Sequence, residues 1–561
     1  MSLTDDDAFL RRVSLDANGI GPSESSQNQL MEDQGPNRRA KAIDRLLDNE
    51  LAWADHWTSY WQDVLAENPN ILKPKLNNTG PFRFWIHESL QDNKPMDRFV
   101  TELIMMEGSQ YYGGPRGFGV ATQNDVPMAA KAQVVGQAFL GMQMKCARCH
   151  DAPFHSYNQK DLFGIAAMLS RKPVAVPKTS SVPVVPGHKS RVEVSLVPGT
   201  AVKPDWPFKA DVLSEPISND SRAQLAAMIT HGHGERFAEV TVNRVWQRYL
   251  GWGLVEPADD WENAEASHPQ LLKWLAREFL VSGYDLKHVA RLIMNSHAYQ
   301  RQVDPAFIAA GEAGERVYAG PARRRLSAEQ VVDSLFAVAG KEMGVEPLTL
   351  DINGRGTITT FLNLGTPRRA WQFTSLSNER DRPSLAIPKA QSVVDVLQTF
   401  GWRDARQDAL TRRDHEPNVL QPSALANGIV GRRIAQLSDD SAFTELALRT
   451  VDCRELVRLI YQRVLGRTPS KEELITMDQY LKVTYANRIV KNAPQLIRQE
   501  KVMDVSWNNH LSEEANRIKM ELEKRVLAGD PPTNRLRSEW RERLEDVVYA
   551  LVNSPEFIFV P

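Results

Sequence analysis

Apolar residues recur at helical spacing along most of the chain, and this pattern predicts its architecture. Phe9, Leu10 and Val13 mark a predicted helix over 7–13, and Ala42, Ile43, Leu46 and Leu47 mark another over 39–47, with a Gly/Pro/Ser-rich turn at 18–23 between them. Trp53, Trp57 and Trp61 stand at i, i+4, i+8, which places three indoles on one helical face as a buried aromatic stripe. Two amphipathic helices follow over 82–107, the second carrying Met96, Phe99, Leu103 and Met106 after Pro95. Helical pattern continues over 127–144 and 161–169, then over 237–249, 269–281 and 286–296, and through most of 454–559, where Asn553, Ser554 and Pro555 break the last helix.

Between 171 and 216 the texture changes to prolines and a valine alternation at 191–197. This predicts a β-rich insertion or extended connection and the main boundary in the chain. A second strand patch is expected at 356–362. The expected fold is therefore mainly α: a module over 1–171, a Pro/Val-rich connection with short strands over 172–217, and a larger helical module over 218–561.

Composition narrows the function classes. At 561 residues the chain exceeds one ordinary core. A net charge of −2 offers no basic field to gather nucleic acid, so none is expected as a partner. No run of 18 apolar residues exists, so no membrane span is expected. The opening Met1-Ser2-Leu3-Thr4-Asp5-Asp6-Asp7 is acidic and lacks the basic-then-apolar pattern of a secretory signal. Three cysteines cannot build a disulfide framework, and Cys453 is expected to be a small buried apolar residue.

The other two cysteines stand in Cys146-Ala147-Arg148-Cys149-His150, the Cys-x-x-Cys-His attachment signature of c-type haem. Two thiols on one turn can add across the two vinyl groups of a porphyrin, while the adjacent imidazole binds iron. On this reading Cys146 and Cys149 hold haem c, His150 is the axial ligand, and His155, Met168, Met144 and Met142 are sixth-ligand candidates, with His297 a more distant one. The tryptophan stripe could then wall a haem pocket. Zinc is the alternative, with Cys146 and Cys149 as half a site completed by His155 or by His231 and His233, and a redox dithiol is a third reading. The glycine-rich stretch 111–119 lacks the Gly-Lys-Ser/Thr ending of a phosphate cradle and is expected to be a loop. Asn243, Arg244 and Trp246 with Asp259, Asp260 and Trp261 form either a polar site near the turn 251–253 or a structural network joining Arg244 to an acid. No Ser-His-Asp order or carboxylate pair stands out, so enzymatic activity is left open.

These motifs together resemble the paired DUF1549 and DUF1553 proteins abundant in planctomycetes, whose first module is also called planctomycete cytochrome c-like. The stretches 7–16, 138–141, 146–151 and 159–163 resemble the first module; 242–247, 267–269, 271–279, 286–300, 461–466 and 551–557 resemble the second. Relatives commonly read Cys-His-Asp-His after the second cysteine, whereas Ala152 stands in the last position here and His155 follows three residues later. The resemblance implies an exported, periplasmic location and hence a trimmed or mis-started opening. It leads to the expectation of an exported c-type haem protein that transfers electrons to a redox partner. The rival expectation is a non-haem structural or binding protein with zinc or free thiols, in a surface or carbohydrate-related assembly; a third is a redox or hydrolytic enzyme built on Arg244, Asp260 and His268.

Overall fold

The computed structural model describes residues 1–67, 82–108, 114–120, 126–178, 187, 192–208, 218–231, 235–303, 316–345, 349–351, 361–363, 366–373, 387–403, 406, 408–413, 416–496 and 511–561. The fold is mainly α. The first helices are α1 (Asp6–Asn18), α2 (Glu24–Glu32), α3 (Arg38–Leu47), α4 (Glu50–Val64), α5 (Arg83–Gln91), α6 (Met96–Met105), α7 (Arg116–Val120), α8 (Pro127–Leu140) and α9 (Gln159–Ser170). They are followed by α10 (Ser221–Thr230), α11 (Arg236–Leu250), α12 (Pro269–Val281), α13 (Leu286–Asn295) and α14 (His297–Gln300). Later helices include Ala328–Ala339, Pro388–Thr399, Cys453–Leu465, Lys471–Lys482, Glu513–Ala528 and Ser538–Val552.

Local chemistry sets the helix ends. Asp5 caps α1, its carboxylate accepting the Ala8 N–H at 2.8 Å, and Gly19 ends it at φ 75°, a conformation that costs glycine little. Asn158 and Asp161 form a reciprocal capping box on α9. Ser538–Val552 stops before Pro555, as the sequence pattern requires.

Among the described residues, strands are few and short. Val174 and Ala175 pair antiparallel with Val202 and Ala201, so the connection does hold strands, but they flank the valine alternation, whose described residues form none. Arg324 and Arg325 pair with Val560 and Phe559, and Thr349–Asp351 pairs with Phe361–Asn363. The last strand takes in Phe361 and Leu362 of the expected patch, whose residues 356–360 lie outside the described residues. In the glycine-rich stretch, residues 111–113 also lie outside them, and Arg116–Val120 is a helical turn.

Hydrophobic burial forms two large cores. One runs from Phe9 to Ala322 and contains the three indoles: Trp53 and Trp57 lie 5.0 Å apart, Trp57 meets Tyr249 of α11 at 6.0 Å, and Trp61 stacks on Phe139 of α8 at 6.2 Å. The aromatic stripe is thus core, and it seats α8 from beneath. Helices α10 to α13 contribute to this same core. The second core is built mainly from Leu326 to Val560 and takes Leu15 from α1 and Cys453, whose thiol is pushed up to about 12 by burial and by Asp478.

A seam of buried charge joins the cores. Asp16 accepts two hydrogen bonds from Arg324, at 2.7 and 2.8 Å, and one from Tyr299 at 2.8 Å. Arg248 donates to Nε2 of His56 at 2.8 Å while its guanidinium lies 4.5 Å from the Trp57 ring and 5.0 Å from the Tyr60 ring. Asp63 on α4 accepts from Arg406 and Arg413, and Arg413 forks onto Glu329 at 2.7 and 2.8 Å.

Candidate functional site

The Cys-x-x-Cys-His segment follows α8 directly. Gly141 closes that helix at φ 64°, where a side chain would strain, and the chain then winds into a 3₁₀ turn, Cys146–Arg148. Buried Ala147 anchors the turn, its N–H donating to the Met144 carbonyl at 3.1 Å. The amides of Cys149 and His150 both donate to the Cys146 carbonyl, at 3.1 and 3.3 Å. Both thiols therefore sit on one turn, unpaired, Cys146 exposed and Cys149 half-buried.

The partly exposed His150 ring is oriented by its neighbour. Its Nδ1 lies 2.8 Å from the carbonyl oxygen of Asp151. A carbonyl only accepts, so Nδ1 carries the proton, and Nε2, which has no hydrogen-bond partner among the described residues, presents its lone pair. Asp151 in turn is held on three sides: its amide donates to the Glu193 carbonyl at 2.9 Å, and its carboxylate accepts from the Gln159 amide at 2.8 Å and the Ser195 hydroxyl at 2.7 Å. The connection thus braces the residue that orients His150.

The sixth-ligand candidates have other contacts. His155 bonds through Nε2 to Asp260 at 2.7 Å and lies nearly parallel to the Tyr157 ring at 5.9 Å. Burial, with Glu262 and Asp260 adding to it, pushes the Tyr157 hydroxyl up to about 12. Met142, Met144 and Met168 are all buried in the first core. The Met144 methyl covers Gly136 so closely that a Cβ there would come within 2.7 Å of it. His297 is exposed at the start of α14. Among the described residues, no three His, Cys, Asp or Glu side chains are grouped to hold a metal ion; His233 lies outside those residues.

Arg244, Asp260 and His268 have separate partners. Arg244 donates to the carbonyls of Ala138 and Gln137, at 2.9 and 2.7 Å, and to the Thr411 hydroxyl at 2.7 Å. Its bonds serve the C-terminal end of α8, so the network around it rests on carbonyls where an acidic partner was expected. Asn243 bridges the amide and carbonyl of Val255, at 3.0 and 2.9 Å, and His268 meets Ser267 at 3.2 Å.

A second polar cluster had no signal in sequence spacing. Asp55 accepts from Trp371 Nε1 at 2.8 Å and bonds His87 Nε2 at 3.0 Å, and the His87 ring stacks on Trp371 at 4.6 Å. Arg369 donates to Asp333 at 2.8 Å beside them. These residues come from four distant segments. The only trace in the sequence is a carboxylate placed within an apolar helical pattern, at Asp55 and Asp333, as at Asp16 and Asp63.

The chain belongs to the family that joins two modules: PSCyt2, a protein of unknown function (DUF1549), matches residues 2–173, and PSD1, a protein of unknown function (DUF1553), matches residues 221–481. No curated protein and no solved structure matches the chain. No helix among the described residues is long and apolar enough to cross a membrane.

Proposed function

We propose that this chain is an exported, periplasmic c-type haem protein that exchanges electrons with a redox partner protein. The observation that supports the reading is the donor set of the 146–150 turn: two unpaired thiols one turn apart, followed by an imidazole whose Nε2 is left free by the Nδ1 contact to Asp151. This set fits haem c, with Cys146 and Cys149 forming the thioethers and His150 the axial bond. The bound haem would supply a one-electron couple. The chain's own residues do the rest: Asp151 fixes the imidazole, and Ala147 roots the turn in the core. Use of His155 or of any of the three methionines as sixth ligand requires that side chain to leave its present contacts.

The test is covalent haem in protein made with an export signal and haem-attachment machinery. Haem is expected to remain on the chain after denaturation and acid extraction, and to be lost in Cys146→Ala and Cys149→Ala. Haem-free wild-type protein carrying zinc at about one per chain would replace this reading with that of a structural or binding protein.

A further inference from the structure

Four consecutive residues of the second family segment grip the haem-motif segment at both of its ends. Ahead of the motif, Gln137 Nε2 donates to Asp259 at 2.7 Å, and the Trp261 amide donates to the Gly141 carbonyl at 2.8 Å. The Trp261 ring also covers the Gly141 α-carbon, so that a Cβ there would lie 2.7 Å from Cδ1. Behind the motif, His155 Nε2 meets Asp260 at 2.7 Å, and the Ser156 amide donates to Glu262 at 2.7 Å. Trp261 is itself fixed, buried, with its Nε1 bonded to the Ala258 carbonyl at 3.1 Å and the Arg236 guanidinium 5.0 Å from its ring.

We propose that the Asp259-Asp260-Trp261-Glu262 turn is a staple that sets the geometry of the Cys146–His150 turn, and that Asp260 is its principal positioning residue. The inference deepens the haem reading, and its functional part rests on it. Between the two grips the segment is held by the buried Met142, Met144 and Ala147, by Asp151 bonded to the connection, by the Gln133 side-chain amide donating to the Lys145 carbonyl at 3.4 Å, and by an exposed Lys145–Asp408 pair at 2.9 Å. Releasing the Asp260–His155 contact is therefore expected to loosen the outer part of the turn, with its thiols and imidazole, while the buried Met144 and Ala147 keep its base in the core.

The experiment uses the full chain in two arms. In the haem-free protein, alkylation of Cys149 and amide exchange across 142–156 are compared in wild type, Asp260→Asn, His155→Asn and the double variant. Asp260→Asn is expected to raise both rates about five- to ten-fold, with the unfolding midpoint nearly unchanged and the double variant no worse than either single one. In the haem-loaded protein the same variant is expected to shift the midpoint potential and broaden the ligand-sensitive absorption bands, which a merely stabilising contact would leave in place. Unchanged exchange and alkylation in Asp260→Asn would overturn the staple. Wild-type protein without covalent haem would overturn the haem reading, and the first arm would still decide the staple alone.

Discussion

Around α1 and α4, charge is buried and held by several partners at once: Asp16 takes three donors, Arg413 reaches two acids, and Arg248 lies against the Trp57 and Tyr60 rings. Around 141–157 most polar groups are partly exposed, Asp151 alone making three hydrogen bonds, and two of the three cysteines and His150 stand among them. The first arrangement fixes two cores against one another, where an unpaired charge would be very costly. The second keeps a reactive turn at the surface, where moving it costs little. Burial of charge in this protein therefore marks the frame, and the candidate site lies where the polar groups are partly exposed.

The strongest way to break this contrast is to empty the seam. Arg324→Ala leaves Asp16 buried with only Tyr299 and is expected to lower stability by about 3–5 kcal/mol, read by denaturant unfolding. A loss as small as that of a surface pair would mean that the seam is not the frame.

A pH scan is next in size. His56 is neutral in the folded protein because its Nε2 accepts from Arg248; burial, then Arg248, Arg369 and Arg324, hold its pKa well below the ordinary 6.5. The unfolded chain takes up the proton that folded His56 refuses. This group's contribution is complete above about pH 6.5 and is lost as pH falls, by about 1.4 kcal/mol per pH unit. His56→Gln should flatten that limb in unfolding curves between about pH 7 and 5. A slope identical to wild type would show that His56 protonates within the fold.

The smallest effect belongs to the motif turn. Lys145 and Asp408 are both more than half exposed, so Lys145→Ala is expected to change stability by less than about 0.5 kcal/mol. A larger loss would place the turn in the frame after all.

Much of this was legible in the sequence, for physical reasons that differ by element. Period-3.6 patterning found α3, which buries the single stripe Ala42, Ile43, Leu46 and Leu47, and also α1, α8 and α11, which are buried on most sides. Proline at its first position located the start of α12 as well. The Cys146–His150 turn was legible because its chemistry is local. Strands at 174–175 and 201–202 were misplaced by the valine alternation, since two-residue pairings depend on what packs over them and carry little pattern of their own. The role of Arg244 was half read: its burial in a network was expected, but carbonyl partners on α8 leave no mark in sequence spacing. The staple was invisible for the same reason, although both of its parts had been noted, because His155 and Asp260 meet only in the folded chain.

The position of the staple along the chain also gives the protein a history. Ribosomes make Cys146 and Cys149 before Asp260 and Trp261, so the thiols first appear on a segment whose clamp has not yet been made. Until residue 262 emerges and folds back, both sulfurs lie on an unanchored strip open to whatever modifies them. Once the turn closes over Gly141 and His155, the same sulfurs are held in one orientation. Closure does not hide the sulfurs, because Cys146 stays exposed and Cys149 half-buried in the folded chain; what it changes is how freely they move.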